Sequence, residues 1–252
     1  MNSSLNILLA AWLFTMATVV KAETPTFYLL TEQYPPYNMT ADGKAFAHSS
    51  DQIDGLCSEI IRNVFDRAGV SYRMKLRNWS FGMQRVQRNK DHGLFCMVKN
   101  AERKDMFHWV GPIANINWTL FAAPGSDIKL KSLKDAKSKG YVIGGYKGDV
   151  MSTYLQRQGF KVSMVNNDQH NPRRLQLGQI DLWVTDELTG PYKAADNTTM
   201  SDMKKVLTFR STAMYLAINR ETDPALVNKL QKALDAMRRS GVVDQIENNY
   251  GL

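Results

Sequence analysis

The side chains that could do chemistry are few and far apart. His48, His92, His108 and His170 are widely separated, and no His-x-x-His or Cys-x-x-Cys metal spacing occurs. No G-x-S-x-G nucleophile elbow is present. Gly144, Gly145 and Gly148 are not a phosphate-binding loop, because Asp149-Val150 stands where that motif needs Lys-Ser/Thr. They read as a tight turn between a strand and a helix. The acids and bases left for proton transfer are Glu187, beside Asp186, and His108. A solvated carboxylate at a helix start is the ordinary reading of Glu187. Arg103, between Glu102 and Asp105, reads by itself as a surface ion pair. Asp149 and Asp186 read as N-caps, and Tyr34 and Trp79 as packing aromatics. Nothing here specifies an enzyme, and no cofactor is implied. Cys57 and Cys96 are the only cysteines. They either pair in an oxidising compartment or stay buried as small apolar thiols.

These residues sit in a chain of 252 residues, 22% charged and 44% apolar, which is a globular composition. The length suits one large domain or two small ones, with a core that needs no staple. Lys and Arg number 32 against 24 Asp and Glu, a net +8. The basic residues are scattered, with pairs such as Arg173-Arg174 as the longest arginine runs. No nucleic-acid motif accompanies them, so the excess is a solvated basic surface and no nucleic acid is expected. Ile7 to Val20 is apolar apart from Thr15 and Thr18, and is short for a membrane span. Val20-Lys21-Ala22 ends it in a signal-peptidase pattern. The stretch before it lacks Lys and Arg, so only the amino terminus supplies positive charge. Residues 1–22 are read as a cleaved signal peptide, which makes the protein exported and periplasmic. No cysteine stands at the junction for a lipid. Loss of Lys21 takes the charge from +8 to about +7.

The elements that must position the candidate residues follow from periodicity. Phe27 to Thr31 is a strand, ended by Tyr34-Pro35-Pro36-Tyr37, and a loop rich in Asp, Gly and Ser runs to Asp54. Ile60, Ile61, Val64, Phe65 and Ala68 recur at helical spacing, and Gly69 stops the helix. Val70, Tyr72, Met74 and Leu76 alternate as a strand. Phe81 to Arg88 is a helix and Gly93 to Val98 a buried strand. The pattern restarts with a strand at Tyr141 to Gly144, a helix from Asp149 to Gln158, and a strand at Lys161 to Val165. A short helix at Arg173 to Leu177 and a strand at Ile180 to Val184 follow. Pro224 opens a C-terminal helix lined by Leu226, Leu230, Ala233, Leu234 and Met237. Two α/β units imply two lobes with a cleft between them.

Taken in order, Tyr34-Pro35-Pro36-Tyr37, Gly55-Leu56-Cys57, Trp79, Glu102-Arg103 with Trp109 and Pro112, the Gly144–Gly148 turn, Asp181 to Glu187 and Gly241 to Tyr250 form a collinear set. The set resembles the bacterial extracellular solute-binding proteins of family 3, over nearly all of residues 26–252. The resemblance implies a two-lobed type II periplasmic-binding fold, with two open α/β sheets joined by a two-strand hinge. Lobe one would be 23–115 plus 213–252, and lobe two 116–212. It implies a small polar solute, an amino acid or related amine, held in the cleft, with delivery to the permease of an ABC transporter and a monomeric state. Arg103 falls where the family grips the ligand carboxylate with two parallel hydrogen bonds. Asp186 falls at the ligand-amine position, and Tyr34 and Trp79 at the aromatic sandwich. Cys96 and Val98 occupy strand positions where Ser or Gly is frequent, and valine has no side-chain acceptor to offer. Asp149 departs most, standing where Ser or Thr opens a helix that receives the carboxylate. Either it points away as a plain cap, or the ligand brings a cation or hydroxyl toward Asp149 and Asp186. A periplasmic sensor subunit is the second functional class, and a dehydratase acting on a cyclohexadienyl acid is the third. The end of the chain at Leu252 leaves no expectation of an added catalytic domain.

Overall fold

The computed structural model describes residues 26–197, 200 and 202–250, and the stretch read as a signal peptide lies outside them. The first part of the chain forms β1 (Phe27–Thr31), β2 (Met39–Thr40), β3 (Ile53–Asp54), α1 (Leu56–Arg67), β4 (Tyr72–Leu76), α2 (Trp79–Arg88), β5 (His92–Val98) and β6 (His108–Ala122). The middle forms α3 (Leu133–Ser138), β7 (Val142–Tyr146), α4 (Val150–Arg157), β8 (Lys161–Val165), α5 (Asn171–Gln176), β9 (Leu182–Asp186) and α6 (Thr189–Asn197). The chain returns through β10 (Lys204–Ile218) and ends in α7 (Pro224–Arg239) and α8 (Val242–Asn249).

Eight strands are hydrogen-bonded in the order β4-β1-β5-β10-β6-β9-β7-β8. One lobe is built on parallel β4, β1 and β5, the other on parallel β8, β7 and β9. The two lobes share β6 and β10, an antiparallel pair of 15 residues each. Met214 to Ile218 of β10 pairs with β5, whereas Trp118 to Phe121 of β6 pairs with β9. The long pair therefore joins the two halves into one eight-stranded sheet, with register shifts at Lys205/Leu207, Thr208/Arg210 and Met214/Leu216 of β10. The loop expected at 38–54 carries structure of its own, since Met39-Thr40 pairs with Ile53-Asp54.

Alternate residues of β1 enter different cores. Leu29 joins the large cluster with Ile60, Ile61 and Leu230, while Leu30 packs with Val86 and Leu94 under α2. A strand covered on both faces reads as a short apolar run, which is why Phe27 to Thr31 was legible. The turn after β1 is anchored by α1. Gly55 precedes that helix at φ +109°, and a Cβ there would lie 2.6 Å from the Tyr37 carbonyl. The close approach lets the Leu56 and Cys57 N–H groups donate to the carbonyls of Pro36 and Tyr37 at 3.1 and 2.8 Å. Donors that a helix start leaves open are thus satisfied by the loop that carries Tyr34.

Candidate functional site

A cleft opens where β6 and β10 pass between the lobes. Ile116 of β6 and Met214 of β10 form its apolar floor, with Val98 of β5 directly opposite Met214 in register. Tyr34, Trp79, Cys96, Val98, Arg103 and Asp149 all line it. Six residues scattered over more than a hundred positions are thus brought to one place. Asp186 is not among the lining residues. It is fully buried, and its carboxylate accepts the backbone N–H groups of Asn117, Leu188 and Thr189 at 2.8, 3.0 and 3.2 Å. It therefore ties β6 to the start of α6, in the cap-like manner its residue type allows.

Arg103 crosses the cleft. Its Nη2 donates to the Gly148 carbonyl at 3.0 Å, and its guanidinium lies 5.0 Å from the centre of the Trp79 ring. Gly148 has φ +82°, and a Cβ there would stand 3.0 Å from Trp79, so glycine is what allows the turn to reach the first lobe. Burial holds the Arg103 guanidinium below its ordinary pKa, against the pull of Asp149, Tyr146 and Glu32. Glu102 beside it pairs with Arg157 of α4, a second bridge between the lobes.

Asp149 caps its helix without pointing away from the cleft. Its carboxylate accepts from the Ser152 N–H at 2.7 Å and the Ser152 hydroxyl at 2.8 Å, capping α4, and it also lines the cleft. Burial pushes its pKa up to about 6, although the Ser152 hydrogen bonds oppose this. Cys96 is disulfide-bonded to Cys57 across 39 residues, with Cα atoms 6.5 Å apart. Of the two states left open by the sequence, the structure holds the paired one. Cys96 has φ +59° and sits at a bulge, where Phe95-Cys96 of β5 oppose Leu216 alone on β10.

Sequence reasoning missed Glu32 and Tyr146, which also line the cleft. Glu32 follows β1 and Tyr146 ends β7, so the contact between them joins the lobes. The Tyr146 hydroxyl lies 2.8 Å from both Glu32 oxygens, which share its single proton. Burial pushes the Glu32 carboxyl up to about 7, while Tyr146 and Lys193 pull it down. No motif marks this pair; the available signal was an acid one residue past a buried strand. Behind them, Lys193 of α6 lies 5.4 Å from the Tyr34 ring centre and pairs with buried Asp168 at 2.7 Å. Asp168 also accepts from Trp183 and Asn171. Two candidate proton-transfer residues lie elsewhere. Glu187 pairs with Lys205 at 2.6 Å, and His108 Nε2 faces the Arg220 carbonyl at 3.1 Å; neither lines the cleft.

The raised Glu32 pKa predicts a pH dependence. A carboxyl that titrates near 7 when folded and near 4.5 when unfolded favours folding in its protonated form. That stability is full below the unfolded value and is lost as pH rises through the folded one. Asp149 adds the same sign at lower pH. Thermal unfolding of the unliganded protein should show a loss of about 2 kcal/mol from Glu32 between about pH 5 and 8. Glu32→Gln should flatten most of that slope; an unchanged slope would contradict the burial argument.

Comparison with known proteins agrees with this architecture. No curated protein matches the chain significantly in sequence. A histidine kinase sensor domain with similarity to periplasmic binding proteins superposes with a TM-score of 0.78 at 19% identity, covering 89% of this chain and 95% of its own. An ancestral arginine-binding protein bound to glutamine gives 0.74 at 23% identity, covering 89% and 96%. The arginine-, lysine-, histidine-binding protein ArtJ from Geobacillus stearothermophilus gives 0.75 at 17% identity, covering 89% and 94%. At these identities the likeness is one of fold, the two-lobed periplasmic-binding fold. The model of one family matches residues 29–252, nearly the whole chain, and by that match the protein belongs to the bacterial extracellular solute-binding proteins, family 3.

Proposed function

We propose that this chain is a periplasmic receptor that captures one small polar solute, an amino acid or related amine, between its lobes. It hands the closed, loaded form to the permease of an ABC transporter and performs no chemistry itself. In this reading residues 1–22 are a cleaved signal peptide and the mature protein is a monomer. Lobe one spans 23–115 and 213–252, and lobe two spans 116–212. The crossing of β6 and β10 supports those boundaries.

The observation that carries the reading is the gathering of opposite charges in one cleft. Arg103 and Glu32 come from lobe one and Asp149 from lobe two, and all three side chains line the cleft. A guanidinium backed by an indole ring offers a planar carboxylate two parallel donors. The two carboxyls suit an ammonium. The aromatic walls of Tyr34 and Trp79 exclude water, which strengthens both contacts once the lobes close. The fold relatives that bind arginine, lysine or histidine support an amino acid as the solute. A second reading keeps the same binding step but docks the closed form on a sensor partner. The likeness to a histidine kinase sensor domain favours it.

A thermal-shift screen of the purified protein, stripped of ligand by unfolding and refolding, tests the receptor reading. The panel is acidic, neutral and basic amino acids, polyamines and small organic acids. A solute at a hundred times its Kd should stabilise the protein by about 2.7 kcal/mol. For a chain of this size that is roughly 5–10 °C. A flat response to the whole panel would count against the receptor reading.

A further inference from the structure

Resting on the reading of this cleft as a solute site, we infer that Glu32, Tyr146 and Asp149 form a subsite for a cationic group, and that the ligand is therefore a basic amino acid or amine. Among the ionisable side chains that line the cleft, two carboxyls accompany one guanidinium. The acid that the family resemblance assigned to the ligand amine, Asp186, already accepts three backbone N–H groups and does not line the cleft. The carboxyls that remain facing the ligand are Glu32 and Asp149.

They approach from opposite lobes. Glu32 stands at the end of β1, while Tyr146 and Asp149 flank the turn between β7 and α4. A cation between them would bind both lobes at once and so favour the closed form over the open one. Tyr146 occupies one acceptor direction on each Glu32 oxygen, and a carboxylate oxygen has a further lone pair to offer a second donor. The Tyr34 hydroxyl oxygen on the same wall is buried and has no hydrogen-bond partner among the described residues. It adds an acceptor for a cation with several N–H groups. The charged groups that act on Glu32 are the cations Lys193, which pairs with Asp168, and Arg103, and the carboxyls of Asp149 and Asp168, which disfavour its ionised form. A neutral solute would leave two desolvated acids with only that surrounding charge, and an acidic solute would add to the negative side.

The same geometry predicts proton traffic. Burial keeps the Glu32 carboxyl partly protonated near neutral pH without ligand. A cation placed beside it favours the ionised form, so binding at about pH 7 expels about half a proton per site to solvent.

The test is calorimetry of the full protein with arginine, its neutral isostere citrulline, the decarboxylated cation agmatine, and glutamate. Titrations at pH 7 in buffers of different ionisation enthalpy count the protons released. Arginine should bind at least about 30-fold more tightly than citrulline, because a site built for a charged donor rejects its isostere. Proton release should accompany arginine binding and be absent for citrulline. In Glu32→Gln, which keeps an acceptor for Tyr146, the arginine-to-citrulline ratio should fall about tenfold or more. Citrulline or glutamate binding as tightly as arginine would overturn the cation subsite and leave the receptor reading standing. Agmatine binding without arginine binding would uphold the subsite and overturn Arg103 as a carboxylate partner. Failure of all four to bind would overturn the subsite, while the wider solute screen still judges the receptor reading.

Discussion

Replacing Arg103 by alanine is expected to weaken binding of a carboxylate-bearing solute by about 100- to 1,000-fold. The unliganded protein should unfold within roughly 3 °C of wild type. The asymmetry comes from what the side chain does in each state. Without ligand, Arg103 gives one hydrogen bond to the Gly148 carbonyl and rests on Trp79. A single bond of this kind is worth about 1 kcal/mol, and the carbonyl left behind lies in an exposed turn where water replaces the donor. With ligand, the same guanidinium would form two charge-assisted bonds to a carboxylate in a closed, poorly hydrated site. Arg103→Lys keeps the charge and loses the fork, and should recover only part of the affinity. A competing account makes Arg103 a mere latch between lobes. Removing a latch would weaken every ligand alike, including one with no carboxylate. Calorimetry of the variant with a solute and its decarboxylated analogue separates the two. An equal loss for both would remove the carboxylate role.

Much of the framework was readable because it is locally determined. β1, α1, β5, α4, β8 and α7 each carry an apolar period or a glycine stop that needs no knowledge of the rest of the chain. The long hinge strands were not readable for the opposite reason. β10 carries Arg210-Ser211-Thr212 in its middle, a polar patch that reads as loop. It is strand because it passes between the lobes, where its surroundings change along its length. The site divides in the same way. Of the residues that the family resemblance singled out, Tyr34, Trp79, Cys96, Val98, Arg103 and Asp149 came together in the cleft, and Asp186 did not. Glu32 and Tyr146 belong to no local pattern, and 114 positions separate them. Their contact exists only once the lobes meet. Asp149 was legible as a cap because a cap is a three-residue matter. Its place on the cleft wall is decided by how near the Gly148 turn comes to Trp79, which sequence does not display.

Removing the Cys57–Cys96 disulfide is expected to cost about 4 kcal/mol of stability, from the chain entropy that a closed loop of this length withholds from the unfolded state. For a chain of this size that corresponds to a fall of roughly 8–16 °C in melting temperature. The bond has a second consequence because of where it lies. Cys57 is fully buried in the first turn of α1, whose start holds the Tyr34 loop, and Cys96 is a residue of the cleft wall. The disulfide therefore joins the loop that presents Tyr34 to the bulge that shapes the floor beside Val98. A non-glycine residue at φ +59° is held by its surroundings. Without the covalent tie, the bulge is free to shift and the cleft loses its preset shape. Solute affinity should then fall by about tenfold, with the loss mainly in the rate of release. Thermal unfolding and calorimetry of the Cys57→Ala, Cys96→Ala double variant, beside wild type treated with a dithiol reductant, measure both effects. Thiol labelling confirms that the bond is open in the treated sample. A reduced protein that melts and binds like the oxidised one would contradict both arguments. A lowered melting temperature with unchanged affinity would keep the entropic account and remove the disulfide from the shaping of the site.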